Sequence, residues 1–295
     1  MERLKILALL LFLFLVADVG RYLVFPRIST LVKTAPRESA FMKYRVRQWR
    51  RDGIKRKPVR IWVPYSRISP YLKKAVLISE DDKFWKEGGF DLEAMQKAVE
   101  KDIEAGRFKF GASTITQQLA KNLFLSPAKN PIRKIKEAIL TWRLEKTLSK
   151  RRILELYLNY VEWGNGIFGA EAASRHYFGK PASALSPMEA ARLAACLPNP
   201  IRFSPVARKG FVERRSQTIY KIMARRGVIH QELERTLAGI ENGEQPAINQ
   251  SNGQPAGIPG LSNSGAQQGV DAPSNSPSGI RNFSYRAPEE AGPAP

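Results

Sequence analysis

The chain has 295 residues, which suits one domain of moderate size with appendages, and its hydrophobic fraction of 43% supports a buried core. Its net charge of +21, from 48 Lys and Arg against 27 Asp and Glu, favours an anionic partner: nucleic acid, an anionic membrane surface or a phosphorylated substrate. The single cysteine, Cys196, excludes an intrachain disulfide and is predicted to be a small buried hydrophobe.

An apolar run opens the chain. Ile6 to Ala17 carries no charge, and the longer stretch from Leu4 to Phe25 reaches the roughly 20 residues of a membrane span if Asp18 and Arg21 lie at the interface. A cleaved signal peptide is the alternative, but no clean small-x-small cleavage site follows. We therefore predict an uncleaved signal anchor over residues 1–25, and this anchor argues against nucleic acid as the partner.

Composition divides the rest of the chain into three parts. Residues 26–58 are strongly basic and are predicted to be a membrane-proximal linker that lies on anionic membrane lipids. Residues 59–239 have mainly helical periodicity and are predicted to form the folded domain. Residues 240–295 are rich in Gly, Pro, Ser, Asn and Gln, and are predicted to be a disordered tail because they cannot bury a core.

Capping residues and prolines predict where the helices begin and end. The predicted helices start at Pro70, after Asp91, at Pro131, at Arg152, at Pro187, at Phe211 and at Gln231. The Arg152 helix is predicted to run to Trp163 and to end at Gly164. The following Gly164–Gly169 segment matches G-x-G-x-x-G, but no alternating β/α pattern surrounds it, so we interpret it as a loop that closes the helix. Strand signals are confined to Val59–Val63.

The segment from Gly111 to Leu125 predicts a helix with two unlike faces. Ile115, Leu119 and Leu123 form a core stripe at spacings of four residues. The polar residues on the other side are Gln117, Gln118, Lys121 and Asn122. Three amides and one lysine are unusual for an ordinary solvated face, so we predict that this face binds a polar, partly anionic ligand.

Two carboxylates border apolar stripes. Glu80 continues the stripe of Leu72 and Val76, where loss of solvation favours a protonated carboxyl and suits a general acid or base. A solvated helix end is the alternative interpretation. Glu137 follows Arg133 and Lys134 by one turn, which favours either a phosphate or metal-bridged phosphate site, or simple local ion pairing.

The order of these segments resembles the peptidoglycan glycosyltransferases of family 51, in particular the monofunctional biosynthetic transglycosylases. Five segments match in order, and together they extend over about residues 59–205: Glu80 to Asp91, Gly111 to Leu125, Arg133 to Ala138, Arg152 to Gly169, and Leu185 to Pro200. The resemblance implies a mainly α, lysozyme-like glycosyltransferase domain on a membrane anchor. It also implies an inner-membrane, single-pass protein with a periplasmic catalytic domain.

The resemblance further implies polymerisation of lipid II into glycan strands. Glu80 would take a proton from the 4-hydroxyl of the acceptor, and that oxygen would displace undecaprenyl diphosphate with inversion. Glu137 would position the diphosphate, directly or through Mg²⁺ or Mn²⁺. The expected substrate-binding residues are Lys83, Ser113, Thr114, Gln117, Gln118, Lys121, Lys129, Arg133, Lys134 and Asn159. Lipid II, the growing strand, anionic lipids and a cell-wall synthesis complex are the expected partners; no transpeptidase activity is expected.

Two positions depart from the family pattern. Glu87 stands where the family usually has His, which puts the local loop structure in question, and Lys129 stands where Arg is common, which loses a bidentate fork. Two other functions stay open at this point. A lysozyme-like lytic enzyme would share the fold and the catalytic Glu but not need the cations around Glu137, and a non-catalytic membrane scaffold would need neither.

Overall fold

A computed structural model describes residues 1–104, 113–127 and 130–229. Within these ranges the chain is mainly α-helical, as predicted. The helices are α1 (Glu2–Gly20), α2 (Ala40–Arg51), α3 (Pro70–Glu80), α4 (Leu92–Glu104), α5 (Ile115–Phe124), α6 (Pro131–Thr147), α7 (Lys150–Tyr160), α8 (Ala170–Phe178), α9 (Pro187–Cys196) and α10 (Phe211–Arg225), and the strands are β1 (Val59–Arg60), β2 (Glu162–Gly164) and β3 (Ile167–Phe168). The predicted tail, the predicted helix from Gln231 and Lys129 lie outside the described residues.

The predicted starts of α3, α6 and α9 are confirmed, and in each case a side chain caps the helix just before a proline. Ser69 accepts a hydrogen bond from the backbone N–H of Tyr71, and Asn130 accepts one from Ile132. Ser186 forms a capping box at the start of α9. Proline at the first helical position has no N–H to satisfy and a φ angle suited to the helix, so these starts are fixed by local chemistry.

The core lies between two groups of packed helices. In one group α9 packs on both α3 and α10, and in the other α5 packs on both α6 and α7. Leu72 and Val76 of α3 and Leu119 of α5 are completely buried, as their spacing predicted. Cys196 is also completely buried, and its burial raises the pKa of the thiol to about 12. This packing brings the C-terminal end of α3 against α5.

The prediction of one helix from Arg152 to Trp163 is wrong. Helix α7 ends at Tyr160, and the chain then forms a hairpin in which β2 pairs antiparallel with β3, while β1 pairs parallel with β3. The turn residue Gly166 has a φ of +76°. Asn-Gly between apolar residues is a strong hairpin signal that outweighs the weak helical periodicity here, and the G-x-G-x-x-G match is the turn of this hairpin.

The basic segment over 26–58, predicted to be a linker, contains the packed helix α2. Met42 and Trp49 of this helix are buried, and a Cβ at Gly166 would lie 2.3 Å from the Trp49 ring. Arg45 binds Glu162 of β2 through two nitrogens, at 2.9 and 3.0 Å. The apolar positions of α2 therefore dock it on the hairpin, although its arginines dominate its composition.

The expected N-terminal apolar helix is present. Among the described residues it is the one helix long and apolar enough to cross a membrane, and its apolar window is not buried by the rest of the protein. Its C-terminal end is held by α6: Lys136 pairs with Asp18, and Arg143 donates to the backbone oxygens of Tyr22, Val24 and Pro26 at 2.7–2.9 Å. We call these contacts of Lys136 and Arg143 the α6 clamp.

Candidate active site

Glu80 is the last residue of α3, and its side chain is only 12% exposed. One carboxylate oxygen accepts a hydrogen bond from Nε2 of Gln118 at 3.1 Å, and the other accepts one from the hydroxyl of Ser79, also at 3.1 Å. The guanidinium of Arg215 approaches to 4.0 Å. The structure therefore excludes the alternative of a freely solvated helix end.

Gln118 is oriented by a completely buried tyrosine of α7. The hydroxyl of Tyr157 donates to Oε1 of Gln118 at 3.0 Å, so the amide must turn its NH₂ group towards Glu80. Burial raises the pKa of Tyr157 well above its ordinary value, and the negative charge of Glu80 adds to this effect. Tyr157 is thus held as a neutral donor, which fixes the direction of the hydrogen-bond chain towards Glu80.

The two aspartates that follow Glu80 have different partners. Asp81 is buried and accepts the backbone N–H of Ile115 at 2.9 Å, so it holds the N-terminus of α5. Burial raises the pKa of its carboxyl to about 6. Asp82 is exposed and pairs with Arg226, which lowers its pKa. Neither carboxylate has the contacts of a partner to Glu80 in acid–base chemistry.

Glu137 is almost completely buried on α6 and is bound by two cations. Arg133 contacts one of its oxygens at 2.5 Å and Lys134 the other at 2.6 Å. Lys134 also donates to the hydroxyl of Ser113 at 3.2 Å. Local ion pairing, one of the two sequence interpretations, is therefore present, and it collects two cations at one place beside the start of α5.

Lys121 connects the two carboxylates electrostatically. Burial lowers the pKa of its ammonium group, while Glu137 and Glu80 both act to raise it, and Arg133 and Lys134 lower it further. Lys121 is therefore close enough to both carboxylates to feel their charge. Of the polar face predicted for α5, Gln118 contacts Glu80 directly, whereas Gln117 and Asn122 are buried.

Three residues predicted to bind substrate have contacts that stabilise the fold. Thr114 and Gln117 form a capping box at the start of α5, and both are buried. Asn159, also buried, binds the backbone of Val63 and Glu155. Thr114, Gln117 and Asn159 therefore stabilise the fold, and their role in substrate binding stays a prediction. Lys83 lies on the surface and pairs with Glu93 at 2.5 Å, outside this cluster.

Glu87, the departure from the family pattern, is the start of a buried network. Lys150 binds Glu87 at 2.6 Å and Glu145 at 2.8 Å, and Glu145 accepts the hydroxyl of Thr116 on α5 at 2.5 Å. Burial raises the pKa of Glu87, and Lys150 acts in the opposite direction. The carboxylate therefore braces the loop after α3 against α7, which answers the question that the sequence left open.

Two residues of the site escaped sequence reasoning. Arg215 of α10 donates to the backbone oxygen and the hydroxyl of Ser79 at 3.2 and 3.1 Å, and so holds the end of α3 that carries Glu80. It is one of several arginines on an amphipathic helix, and no local pattern distinguishes it. Tyr157 lies in the fourth matching segment, but its contact with Gln118 depends on the packing of α7 on α5.

The described residues offer few ligands to a divalent cation. Within residues 1–104, 113–127 and 130–229 there is no group of three or more His, Cys, Asp or Glu arranged to bind a metal ion. We call Lys121, Arg133 and Lys134 the cation cluster. Glu137 is the carboxylate paired with it, and the two oxygens of Glu137 contact Arg133 and Lys134. A cation here would take most of its ligands from phosphate and water, as Mg²⁺ commonly does.

The mainly helical domain thus carries one hydrogen-bonded carboxylate, Glu80, and a second carboxylate, Glu137, bound by two cations. Comparison with known proteins gives the class. Residues 48–224 match the family model described as Transglycosylase. The biosynthetic peptidoglycan transglycosylase of Nitrosospira multiformis is 47% identical over 216 residues, 72% of this chain and 94% of that protein. Its counterpart in Aromatoleum aromaticum is 56% identical over 171 residues, 57% of this chain and 73% of that protein.

The chain therefore belongs to the transglycosylase family, and it is a glycosyltransferase with a lysozyme-like, mainly helical domain. The matched region begins inside α2, which agrees with the packing of that helix on the domain.

Proposed function

We propose that this enzyme is a peptidoglycan transglycosylase that polymerises lipid II into glycan strands. Glu80 takes the proton from the 4-hydroxyl of the acceptor N-acetylglucosamine. The oxygen attacks C1 of the donor N-acetylmuramic acid with inversion, and undecaprenyl diphosphate leaves. The relatives named for biosynthetic peptidoglycan transglycosylation support the substrate class.

The different surroundings of the two carboxylates, Glu80 and Glu137, carry this proposal. Glu80 is bound by the neutral donors of Gln118 and Ser79, and Arg215 stays 4.0 Å away. Its lone pairs are therefore not fully used by cations, as a general base requires. Glu137, in contrast, is bound closely by Arg133 and Lys134. One carboxylate is suited to accept a proton and the other to organise positive charge.

The cation cluster supports the departure of a diphosphate. Lys121, Arg133 and Lys134 present three positive charges near one buried carboxylate, so the cluster keeps an excess of positive charge for a leaving group that becomes more negative as its bond to the sugar breaks. Ser113, which accepts from Lys134, can turn its hydroxyl hydrogen to a phosphate oxygen. Lys129 is expected to add a further charge.

We further propose that Mg²⁺ or Mn²⁺ binds the diphosphate, with Glu137 as its carboxylate ligand from the protein. Such an ion would neutralise charge on the leaving diphosphate. The arginine and lysine on Glu137 compete with it for the same oxygens. We expect activity without added metal to fall but to remain measurable, because the protein cations stay in place.

The apolar helix α1 supports a membrane-bound enzyme. We propose that it crosses the inner membrane once and that the catalytic domain lies in the periplasm, where the strand is built. The basic outer side of α2, which exposes Lys43, Arg47, Arg50 and Arg51, is suited to anionic lipids. Further partners in a cell-wall synthesis complex are proposed on functional grounds.

The test is polymerisation of lipid II in detergent with the two carboxylate variants. Glu80→Gln keeps the shape and one acceptor oxygen but cannot take a proton, so the rate should fall by roughly 10²–10⁴-fold with the thermal unfolding temperature nearly unchanged. Glu137→Gln should also lower the rate and should weaken the response to added Mg²⁺ or Mn²⁺. Glu93→Gln, on the exposed side of α4, is the matched control.

Activity of Glu80→Gln at the wild-type level would refute the assignment of the base. Incubation of the wild-type enzyme with purified glycan strands separates synthesis from lysis. Strands that become shorter would identify a lytic enzyme, and a wild-type protein that neither extends nor cuts glycan would identify a scaffold.

A further inference from the structure

A groove of about 550 Å³ lies between α1 and the neighbouring ends of α5 and α6. One wall is a single face of α1, on which Leu11, Phe14 and Leu15 follow each other at helical spacing. The opposite wall includes Phe124 at the end of α5. Leu11 and Phe14 are about 70% exposed, so this face of α1 is not covered by the described protein.

The chemistry of the groove changes along its length. Its α1 side is apolar from Leu11 to Leu15, whereas Arg133 and Lys136 of α6 line the other part. Lys136 is paired with Asp18 in the α6 clamp. Arg133 is also paired with Glu137, so the groove shares this residue with the cation cluster that the proposed function assigns to the diphosphate.

The position of Arg133 constrains where a lipid chain can go. A diphosphate bound at Arg133 and Lys134 must send its attached chain out past the residues beside it. Arg133 lines the groove, and the groove leads from there along the apolar face of α1. An isoprenoid chain is apolar and branched, and contact with leucine and phenylalanine side chains removes its surface from water or from headgroups.

We propose that this groove binds the first isoprene units of the donor's prenyl chain, so that the membrane anchor itself forms one wall of the lipid-binding site. The inference rests on the proposed function for the identity of the lipid. A prenyl chain is favoured over a phospholipid, because Arg133 belongs both to the groove and to the proposed diphosphate site. The anchor would then contribute to donor affinity as well as to localisation.

The kinetic test compares two tryptophan variants on opposite sides of α1. Leu15→Trp narrows the groove, while Leu13→Trp lies about 200° away around the helix and adds the same side chain outside it. Each variant is assayed with lipid II that carries eleven isoprene units and with an analogue that carries two. For Leu15→Trp we expect KM for the long-chain donor to rise roughly tenfold, the effect of about two lost CH₂ contacts, with a much smaller change for the short chain. Leu13→Trp should change neither value.

An equal effect of Leu15→Trp on both donors, or no effect on either, would overturn the proposal.

A binding experiment without turnover tests the prenyl-binding groove separately from the proposed function. Photoreactive benzoylphenylalanine is placed at Phe14 or, as a control, at Phe12 outside the groove, and the protein is irradiated with labelled undecaprenyl diphosphate.

Labelling at position 14 but not 12, removed by unlabelled undecaprenyl diphosphate and not by excess phosphatidylglycerol, supports the groove. Removal by phosphatidylglycerol would show a phospholipid site instead, and equal labelling at both positions would show general membrane contact; either result overturns the proposal. Selective labelling of a protein that fails to polymerise lipid II would refute the proposed function and keep the prenyl site.

Discussion

Two adjacent glutamines of α5 have different roles, although both were predicted to hold substrate oxygens. Gln118 joins Tyr157 to Glu80, and its removal would leave the buried tyrosine hydroxyl without its acceptor. We expect Gln118→Ala to lower kcat by about tenfold or more, because Glu80 loses the donor that fixes its position. Steady-state kinetics on lipid II measures this change.

Gln117→Ala is the matched control for that prediction. Gln117 caps α5 by accepting the backbone N–H of Thr114 at 2.9 Å. Its loss should lower the free energy of unfolding by about 1 kcal/mol and leave kcat near the wild-type value. A large fall of kcat in Gln117→Ala with no change of stability would show that this residue contacts substrate after all.

Asp81 should make the stability of the protein depend on pH. The pKa of its carboxyl is about 6 in the folded protein and near 3.8 in the unfolded chain, so the folded state binds the proton more tightly. The free energy of unfolding therefore increases as the pH falls through 6. The Asp81 carboxyl should contribute about 2 kcal/mol more to this free energy at pH 4.5 than at pH 7.5. Asp81→Asn should remove that difference in urea unfolding at the two pH values.

Asp82→Asn provides a control of opposite sign. Arg226 lowers the pKa of Asp82 below the ordinary value of 3.8. The ion pair therefore stabilises the protein at neutral pH, and this contribution is lost only as the pH falls below the ordinary pKa of the carboxyl. A pH profile of Asp81→Asn that stays parallel to that of the wild type would contradict the buried, protonatable state of Asp81.

At the scale of secondary-structure elements, Lys150 joins four segments. It binds Glu87 in the loop after α3 and Glu145 on α6, and Glu145 in turn binds Thr116 on α5. We expect Lys150→Met to lower the free energy of unfolding by about 3 kcal/mol, because two buried carboxylates lose their cation. Urea unfolding measures the loss.

The double variant Lys150→Met with Glu87→Gln should recover part of that stability, since it removes one of the uncompensated charges. Lys146→Met, on the exposed side of α6, should change stability by less than about 0.5 kcal/mol. Equal stability of Lys150→Met and Lys146→Met would show that the network contributes nothing.

The elements that the sequence predicted well are those with local determinants. The starts of α3, α6 and α9 depend on a capping side chain and a proline within a few residues. The hairpin of β2 and β3 was missed because Val161 and Trp163 also fit a helix continued from α7, and the segment from Gly164 to Gly169 was interpreted as a loop. Helix α2 was missed because its arginines mask the two buried positions, Met42 and Trp49.

The residues of the site also divide into those with a local sequence signal and those that depend on tertiary packing. Glu80 and Glu137 stand out because a carboxylate at the edge of an apolar stripe is unusual in any helix. The role of Arg215 could not be predicted, because it lies 136 residues from Ser79 and reaches it only through the packing of α10 on α3. The buried hydrogen bonds of Asn159 were equally hidden, since nothing in an Asn next to two apolar residues distinguishes a structural amide from a ligand-binding one.

At the scale of the whole molecule, the α6 clamp joins the proposed membrane anchor to the catalytic domain. Arg143→Gln removes the charged donor that binds three backbone oxygens between residues 22 and 26. We expect trypsin to cleave after Arg27 or Lys33 roughly tenfold faster in this variant, because hydrogen bonds from a charged donor contribute about 1.5–3 kcal/mol and local opening exposes the segment. Timed digestion in detergent, followed by mass spectrometry, measures the rate.

Lys146→Gln, on the same helix but without a contact to the anchor, is the control for that digestion, and both variants should unfold at the wild-type temperature. An unchanged cleavage rate in Arg143→Gln would show that the segment is held by other contacts.

Helix α6 carries both the α6 clamp and Glu137, so for a membrane-spanning α1, as proposed, this helix limits the distance between the reaction and the bilayer. A flexible tether of twelve residues would let a domain drift by roughly 20 Å. On the proposed function, a domain clamped to its anchor stays at one height above the lipids, so each sugar is added at the same distance from the membrane. The spacing between new glycan and the membrane would then be set by one helix.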